Sequence, residues 1–132
     1  MTPYTAVALQ LTAQSVEQAA DPRAQIMAQI AGLEGKIRSA RIFIEQYGGS
    51  PVKLAVLPEY LFTSYPGRIG ISEFAELAAF DIDGPEYAAI AAMAMTLKLF
   101  IAGNAYERDK NFPGIYFQAS FVIAPDGQTV LR

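Results

Sequence analysis

One carboxylate in this 132-residue chain stands where fixed acid–base chemistry is easy to mount. Leu54-Ala55-Val56-Leu57 is an unbroken apolar run, short enough to be a strand buried on both faces. Pro58 ends it, because proline has no N–H to give a central ladder. Glu59 is the next residue. Open α/β sheets bind ligands beyond the carboxyl ends of their strands, so a carboxylate fixed there can serve as a general base. The competing reading is a carboxylate that caps the strand or pairs with a surface cation. Local pattern alone favours that second reading.

Absences narrow the chemistry further. The chain has no His, which excludes a Ser-His-Asp triad, a Cys-His pair and a His-ligated metal within it. It has no Cys, which excludes disulfides, zinc knuckles and a thiol nucleophile. Chemistry performed by these residues alone would fall to carboxylates, Lys, Tyr, Ser or Thr. A net charge of −3 and scattered basic residues (Lys36, Arg38 and Arg41 share one helix) give no electrostatic case for nucleic acid. No apolar run approaches the roughly 18 residues of a membrane span. Met1-Thr2-Pro3-Tyr4 lacks the charged start and apolar core of a signal peptide, so a cytoplasmic address is expected.

The elements that must position Glu59 follow from periodicity. Thr5 to Leu11 reads as a first strand, with Val7, Leu9 and Leu11 alternating against Ala6, Ala8 and Gln10. Thr12 to Ala20 is a connection without glycine, which counts against a dinucleotide site. Asp21-Pro22 opens a helix, with Asp as N-cap and Pro at the first helical position. Ile26, Ile30, Leu33, Ile37, Ala40 and Ile44 then form one apolar stripe, and Gly48-Gly49 ends it. After the central strand, Tyr65-Pro66-Gly67 is a turn and Ser72 to Ala79 a short helix.

Asp83-Gly84-Pro85-Glu86 resembles a capping box, with Asp83 as N-cap and Glu86 three residues on. The helix body from Tyr87 to Leu97 is apolar on every side, which predicts burial on every side. A third strand runs from Leu99 to Tyr106, and Glu107-Arg108-Asp109 marks its exit to solvent or a second polar group near the site. A fourth strand runs from Ile115 to Ala124, Pro125-Asp126-Gly127 is a tight turn, and Gln128 to Arg132 begins a hairpin partner. That partner breaks off early and is expected to be an interruption. The order β-α-β-(α)-α-β-β predicts an α/β fold: a mixed sheet of parallel strands joined by right-handed crossovers, closed at one end by a hairpin.

With those elements placed, the sequence resembles the N-terminal half of the carbon–nitrogen hydrolase (nitrilase) superfamily. The match rests on four features in order. The first strand and long helix come first, and Leu57-Pro58-Glu59 with Tyr65-Pro66-Gly67 comes second. Ile101-Ala102-Gly103-Asn104-Ala105-Tyr106-Glu107-Arg108 is third, and the hairpin Ser120-Phe121-Val122-Ile123-Ala124-Pro125-Asp126-Gly127 is fourth. The resemblance implies that residues 1–132 are the N-terminal portion of a single hydrolase domain. The fold would be the incomplete half of a four-layer αββα sandwich, with helices on one face of the sheet.

It also implies Glu-Lys-Cys chemistry on a small amide, carbamoyl compound or nitrile, with no metal and no cofactor. Only Glu59 maps onto that triad. The family's lysine would fall just after Arg132 and its cysteine further on, so this chain by itself is expected to be inactive. Lys53, Lys98 and Lys110 do not sit at the lysine position. Under the resemblance the catalytic reading of Glu59 becomes the favoured one.

Tyr60, Phe62 and Tyr65 could line a substrate pocket, Tyr60 and Tyr65 being the substrate-binding candidates, with core packing as the alternative for all three. Glu107 is expected to hydrogen-bond loop backbone near the site. Phe117-Gln118 after Tyr116 departs from the family's usual Asn. A homo-oligomer is expected, with no nucleic acid and no membrane as partner. The rival reading is a non-catalytic α/β module that works by association; a nucleotide-binding flavodoxin-like domain lacks the glycines and hydroxyls it needs.

Overall fold

In the computed structural model, residues 3–132 are described. Met1 and Thr2, half of the stretch read for a leader, lie outside the described residues. The elements are β1 (Thr5–Ala8), α1 (Pro22–Gly48), β2 (Val52–Val56), α2 (Ile71–Ala78), β3 (Phe80–Asp81), α3 (Pro85–Leu97), β4 (Phe100–Arg108), β5 (Phe117–Ile123) and β6 (Thr129–Leu131). They form one mixed sheet in the order β1-β2-β4-β5-β6, with β3 pairing β4 beside that path. β1, β2 and β4 are parallel, and β5 and β6 are added antiparallel.

The long helix forms where its signals lie. Asp21 accepts the amide of Ala24 at 3.0 Å, Pro22 opens the first turn, and Gly49 closes the helix in the left-handed region at φ 69°. Ile26, Ile30, Leu33 and Ile37 are buried against the sheet. α1 also packs on α3, which supplies Tyr87, Ile90, Met93, Ala94 and Leu97. From the sheet, Val7, Ala55, Leu57, Ile101, Phe121 and Ile123 complete this core.

Four expectations are corrected. The central strand begins at Val52 and is buried on one face only: Ala55 and Leu57 point into the core, whereas Leu54 and Val56 remain partly exposed. No described element covers that second face, so apolarity on both sides does not yield burial on both sides here. Likewise α3 is not buried all round, since Ala88, Ala92 and Met95 are exposed. Its N-cap is Gly84, with no side-chain cap, rather than Asp83. The Gly84 amide is taken by the Asp81 carbonyl at 2.9 Å, and the Glu86 carboxylate accepts from Arg23 Nη1 at 2.9 Å instead of closing a box. Finally, β4 runs on through Glu107 and Arg108, because β3, which periodicity missed, pairs with those two residues. Arg108 clamps that pairing, donating to both oxygens of Asp81 at 2.6 and 2.7 Å and to Glu76 at 2.8 Å. Its cationic fork holds the Asp81 carboxyl below the usual range.

Candidate active site

β2 feeds into the loop that bears Glu59. The Leu57 amide still donates to the Ala102 carbonyl at 2.8 Å, so the chain stays in the ladder until Pro58. Beyond Glu59, Tyr60 adopts a left-handed conformation at φ 58°, which a residue with a Cβ rarely holds without support. Support comes from Asn104 on β4, whose Oδ1 accepts the Tyr60 amide at 3.1 Å. The turn is closed by the Ser64 amide donating to the Tyr60 carbonyl at 2.8 Å. It is pinned from the other side by the Val16 amide on the Thr63 carbonyl at 3.1 Å. Leu61, Phe62 and Thr63 are buried beneath it.

The Glu59 side chain is exposed and turns onto the uncovered face of the sheet. Gln118 Nε2 donates to Glu59 Oε1 at 2.7 Å. Glu59 opens on a groove of about 450 Å³ with Asn104, Gln118, Ser120, Val56 and Leu131 in its walls. Asn104 and Ser120 are paired across β4 and β5, so one alternating face brings these polar groups together. The groove thus joins a carboxylate at a strand end to the hairpin that ends near Arg132. A larger hollow of about 550 Å³ lies over Leu54, Phe100, Ala102 and Val122, but it is apolar and holds no carboxylate. It is part of the uncovered sheet face.

Of the two tyrosines read as substrate-binding, neither lines the Glu59 groove. Tyr60 stacks on Tyr106 with centroids 5.9 Å apart, and Tyr106 meets Phe74 and Tyr116 edge-on at 5.1 Å each. Burial, reinforced by the phenols of Tyr60 and Tyr116 and the Glu59 carboxylate, pushes the Tyr106 hydroxyl up to about 12. Tyr65 is 67% exposed on the turn. Phe62 is buried and packs against Phe80.

Glu107 faces the helices, not the groove. It accepts from the Tyr87 hydroxyl and pairs with Arg132 at 3.4 Å, so among the described residues its partners are side chains and not loop backbone. Burial, then this carboxylate, drives the Tyr87 phenol far above its ordinary range. Among the described residues no cluster of three or more His, Cys, Asp or Glu could hold a metal ion. Asn104 and Gln118 were missed as site residues. The Asn104 signal was its place on the same alternating face of β4 as the strand's other open-side residues.

A half-sandwich with one bare face and a carboxylate at the mouth of its parallel strands defines the class to which the comparisons point. The profile of the carbon-nitrogen hydrolase family matches residues 7–132, and the chain belongs to that family. Solved structures share the fold. An N-terminal amidase superimposes with a TM-score of 0.62 at 15% identity, over 96% of this chain and 26% of that one. Saccharomyces cerevisiae Nit3, a member of branch 10 of the nitrilase superfamily, gives 0.62 at 17% identity over 80% of this chain and 37% of its own. A carbon-nitrogen hydrolase from Helicobacter pylori G27 gives 0.55 at 17% identity over 96% and 37%. The chain therefore spans 26% to 37% of the length of these relatives. No curated protein sequence matches it.

Proposed function

We propose that these residues are the N-terminal, base-bearing portion of a single carbon–nitrogen hydrolase domain that cleaves a non-peptide C–N bond in a small amide, carbamoyl compound or nitrile. The observation that carries the reading is Glu59 at a proline-stopped strand end, facing a groove that also reaches the β5–β6 hairpin. In this reading Glu59 takes the proton of a cysteine thiol, and the thiolate attacks the carbonyl or nitrile carbon. From an amide the addition gives a tetrahedral intermediate whose charge a lysine steadies, and Glu59 returns the proton to the departing amine. From a nitrile it gives a thioimidate whose nitrogen takes that proton, and a water must add to it before the tetrahedral adduct expels ammonia. Water activated by the same carboxylate then releases the acyl group from sulfur.

The lysine and cysteine belong to polypeptide beyond these residues. Leu131 pairs with Val122 across the hairpin, so one more residue of β6 after Arg132 would fall opposite Ser120, on the groove side. That supports a lysine entering the groove from an extended β6, facing Glu59. The bare sheet face supports a second sheet closing over it. The reading extends to a cytoplasmic homo-oligomer, for which the exposed Ala88, Ala92 and Met95 on α3 offer a packing face.

The test is ammonia release by the full-length polypeptide from acetamide, butyramide, propionitrile and an Asn-Glu dipeptide. Hydrolysis of at least one, lost in Glu59→Gln with the thermal midpoint retained, is the expected result. Loss of the fold in Glu59→Gln would make the carboxylate structural. The bare face equally favours a non-catalytic module that works by association. Inactivity on every probe, with a tight complex formed through this face, would select that reading instead.

A further inference from the structure

We infer that Gln118 is a positioning residue that ties down one oxygen of Glu59 and leaves the other to act alone as the base; this rests on the catalytic reading of Glu59 above. Glu59 lies on a loop and has three side-chain torsions, so an untethered carboxylate would sample many rotamers. The structure holds it at two points. At the backbone, Asn104 Oδ1 takes the Tyr60 amide and keeps the next residue left-handed. At the head group, Gln118 Nε2 donates to Oε1 at 2.7 Å. Oε2 has no hydrogen-bond partner among the described residues.

The choice of partner matters. Among the described residues no Lys or Arg forms an ion pair with Glu59. A guanidinium in the place of Gln118 would orient the carboxylate equally well but would add a countercharge that favours the ionised form and so weakens a proton acceptor. A neutral amide restrains it without adding a countercharge. Gln118 is on β5, one alternation along from Ser120, and so shares the groove face with Asn104 across the ladder. It is exposed, so its truncation opens no cavity.

The experiment compares Gln118→Leu, Gln118→Asn, Gln118→Glu and Glu59→Gln in the full-length polypeptide. It uses the probe amide hydrolysed fastest, with thermal melts to verify folding. Gln118→Leu is expected to lower kcat by about 10- to 100-fold with KM within about twofold, the cost of misplacing a reacting group by an ångström or so. Gln118→Glu, which sets two carboxylates side by side, should move the acid limb of the kcat/KM profile to higher pH. Gln118→Asn should recover part of the kcat lost in Gln118→Leu. Glu59→Gln inactive with Gln118→Leu at wild-type kcat and pH profile would overturn this inference and leave the proposed function standing. A rise in KM at constant kcat would overturn it too, because Gln118 would then be a substrate contact. Full activity in Glu59→Gln would overturn both.

Discussion

The two faces of this sheet each hold a glutamate near the carboxyl ends of the parallel strands, and they treat it in opposite ways. On the helix side Glu107 is 7% exposed and is met by the Tyr87 hydroxyl and the Arg132 guanidinium. Glu86, 3% exposed on the same side, is met by Arg23, which also donates to the Glu76 and Ala79 carbonyls at 2.9 and 2.8 Å. On the bare side Glu59 meets, among the described residues, only the neutral amide of Gln118 and open groove. A charge taken out of water requires a hydrogen-bonded partner, and one so partnered is consumed by structure. A carboxylate restrained without a countercharge is not tied up in an ion pair. Chemistry is expected on the uncovered face for that reason.

The sharpest way to break this contrast is to neutralise each glutamate in turn. Glu59→Gln should reduce kcat/KM of the full-length polypeptide by about 10²- to 10⁴-fold, the usual worth of a general base, with stability changed by less than about 0.5 kcal/mol. Glu107→Gln should do the reverse, lowering the melting midpoint while kcat stays within a few-fold. If the activity loss followed Glu107, the roles assigned to the two faces would be exchanged. Next in size is Arg23→Met. It strands buried Glu86 and leaves two carbonyls short of a donor, and removing one partner of a buried pair costs about 3 kcal/mol. Urea titration reads that loss, and a change below about 1 kcal/mol would mean that Glu86 is not held as a buried charge.

What could be read without coordinates was whatever local chemistry decides. Asp21, Pro22 and Gly49 mark α1 because capping and left-handed closure involve neighbours a few positions away. Pro58 marks the end of β2 for the same reason. The α/β sheet followed from the order of such elements, whereas the half-sandwich with helices on one face and the family were implied by the resemblance of its motifs. β3 was invisible, because two residues carry no period and Phe80–Asp81 is a strand only by virtue of β4 and the Arg108 clamp. Asp83 looks like the cap of α3 because spacing shows the two ends of a box and not the arginine, 63 positions from Glu86, that takes one of them. At the candidate site, Pro58 marks out Glu59 locally as a candidate, but Asn104 and Gln118 lie 44 and 59 positions from their partners. An amide on an alternating strand reads as a solvent-facing residue until the register is known.

Gly103 probes the covered face more gently. A Cβ added there would stand 2.8 Å from Phe121 Cζ and 3.3 Å from Leu57 Cδ1, and Phe121 is itself 1% exposed with little room to yield. Gly103→Ala should therefore cost about 2 kcal/mol through overpacking. Since Leu57 precedes the Pro58-Glu59 segment, part of that strain should reach the groove as a kcat lowered a few-fold. An unchanged midpoint would show a covered face with more slack than its packing implies.

The smallest effect separates the faces by titration. Tyr87, on the helix side, has its phenol pushed far above the ordinary range by burial and by Glu107. Tyr106, under the Tyr60 turn beside the groove, is pushed only to about 12. An unfolded tyrosine ionises near pH 10, so below that value both states hold the proton and the stabilisation is fully present. Above it the unfolded chain binds fewer protons than the folded one, and stability falls with rising pH until the folded phenol also ionises. For Tyr106 that window runs from about pH 10 to the folded value of about 12. Tyr106→Phe should remove about 1 kcal/mol of the loss seen by about pH 11, since each unit of displacement is worth about 1.4 kcal/mol. The remaining alkaline loss should belong largely to Tyr87 and vanish in Tyr87→Phe. Were Tyr106→Phe to leave the alkaline limb untouched, the aromatic cover over this end of the open face would be loose enough to admit water. The restraint on Tyr60, and through it on Glu59, would then rest on Asn104 alone.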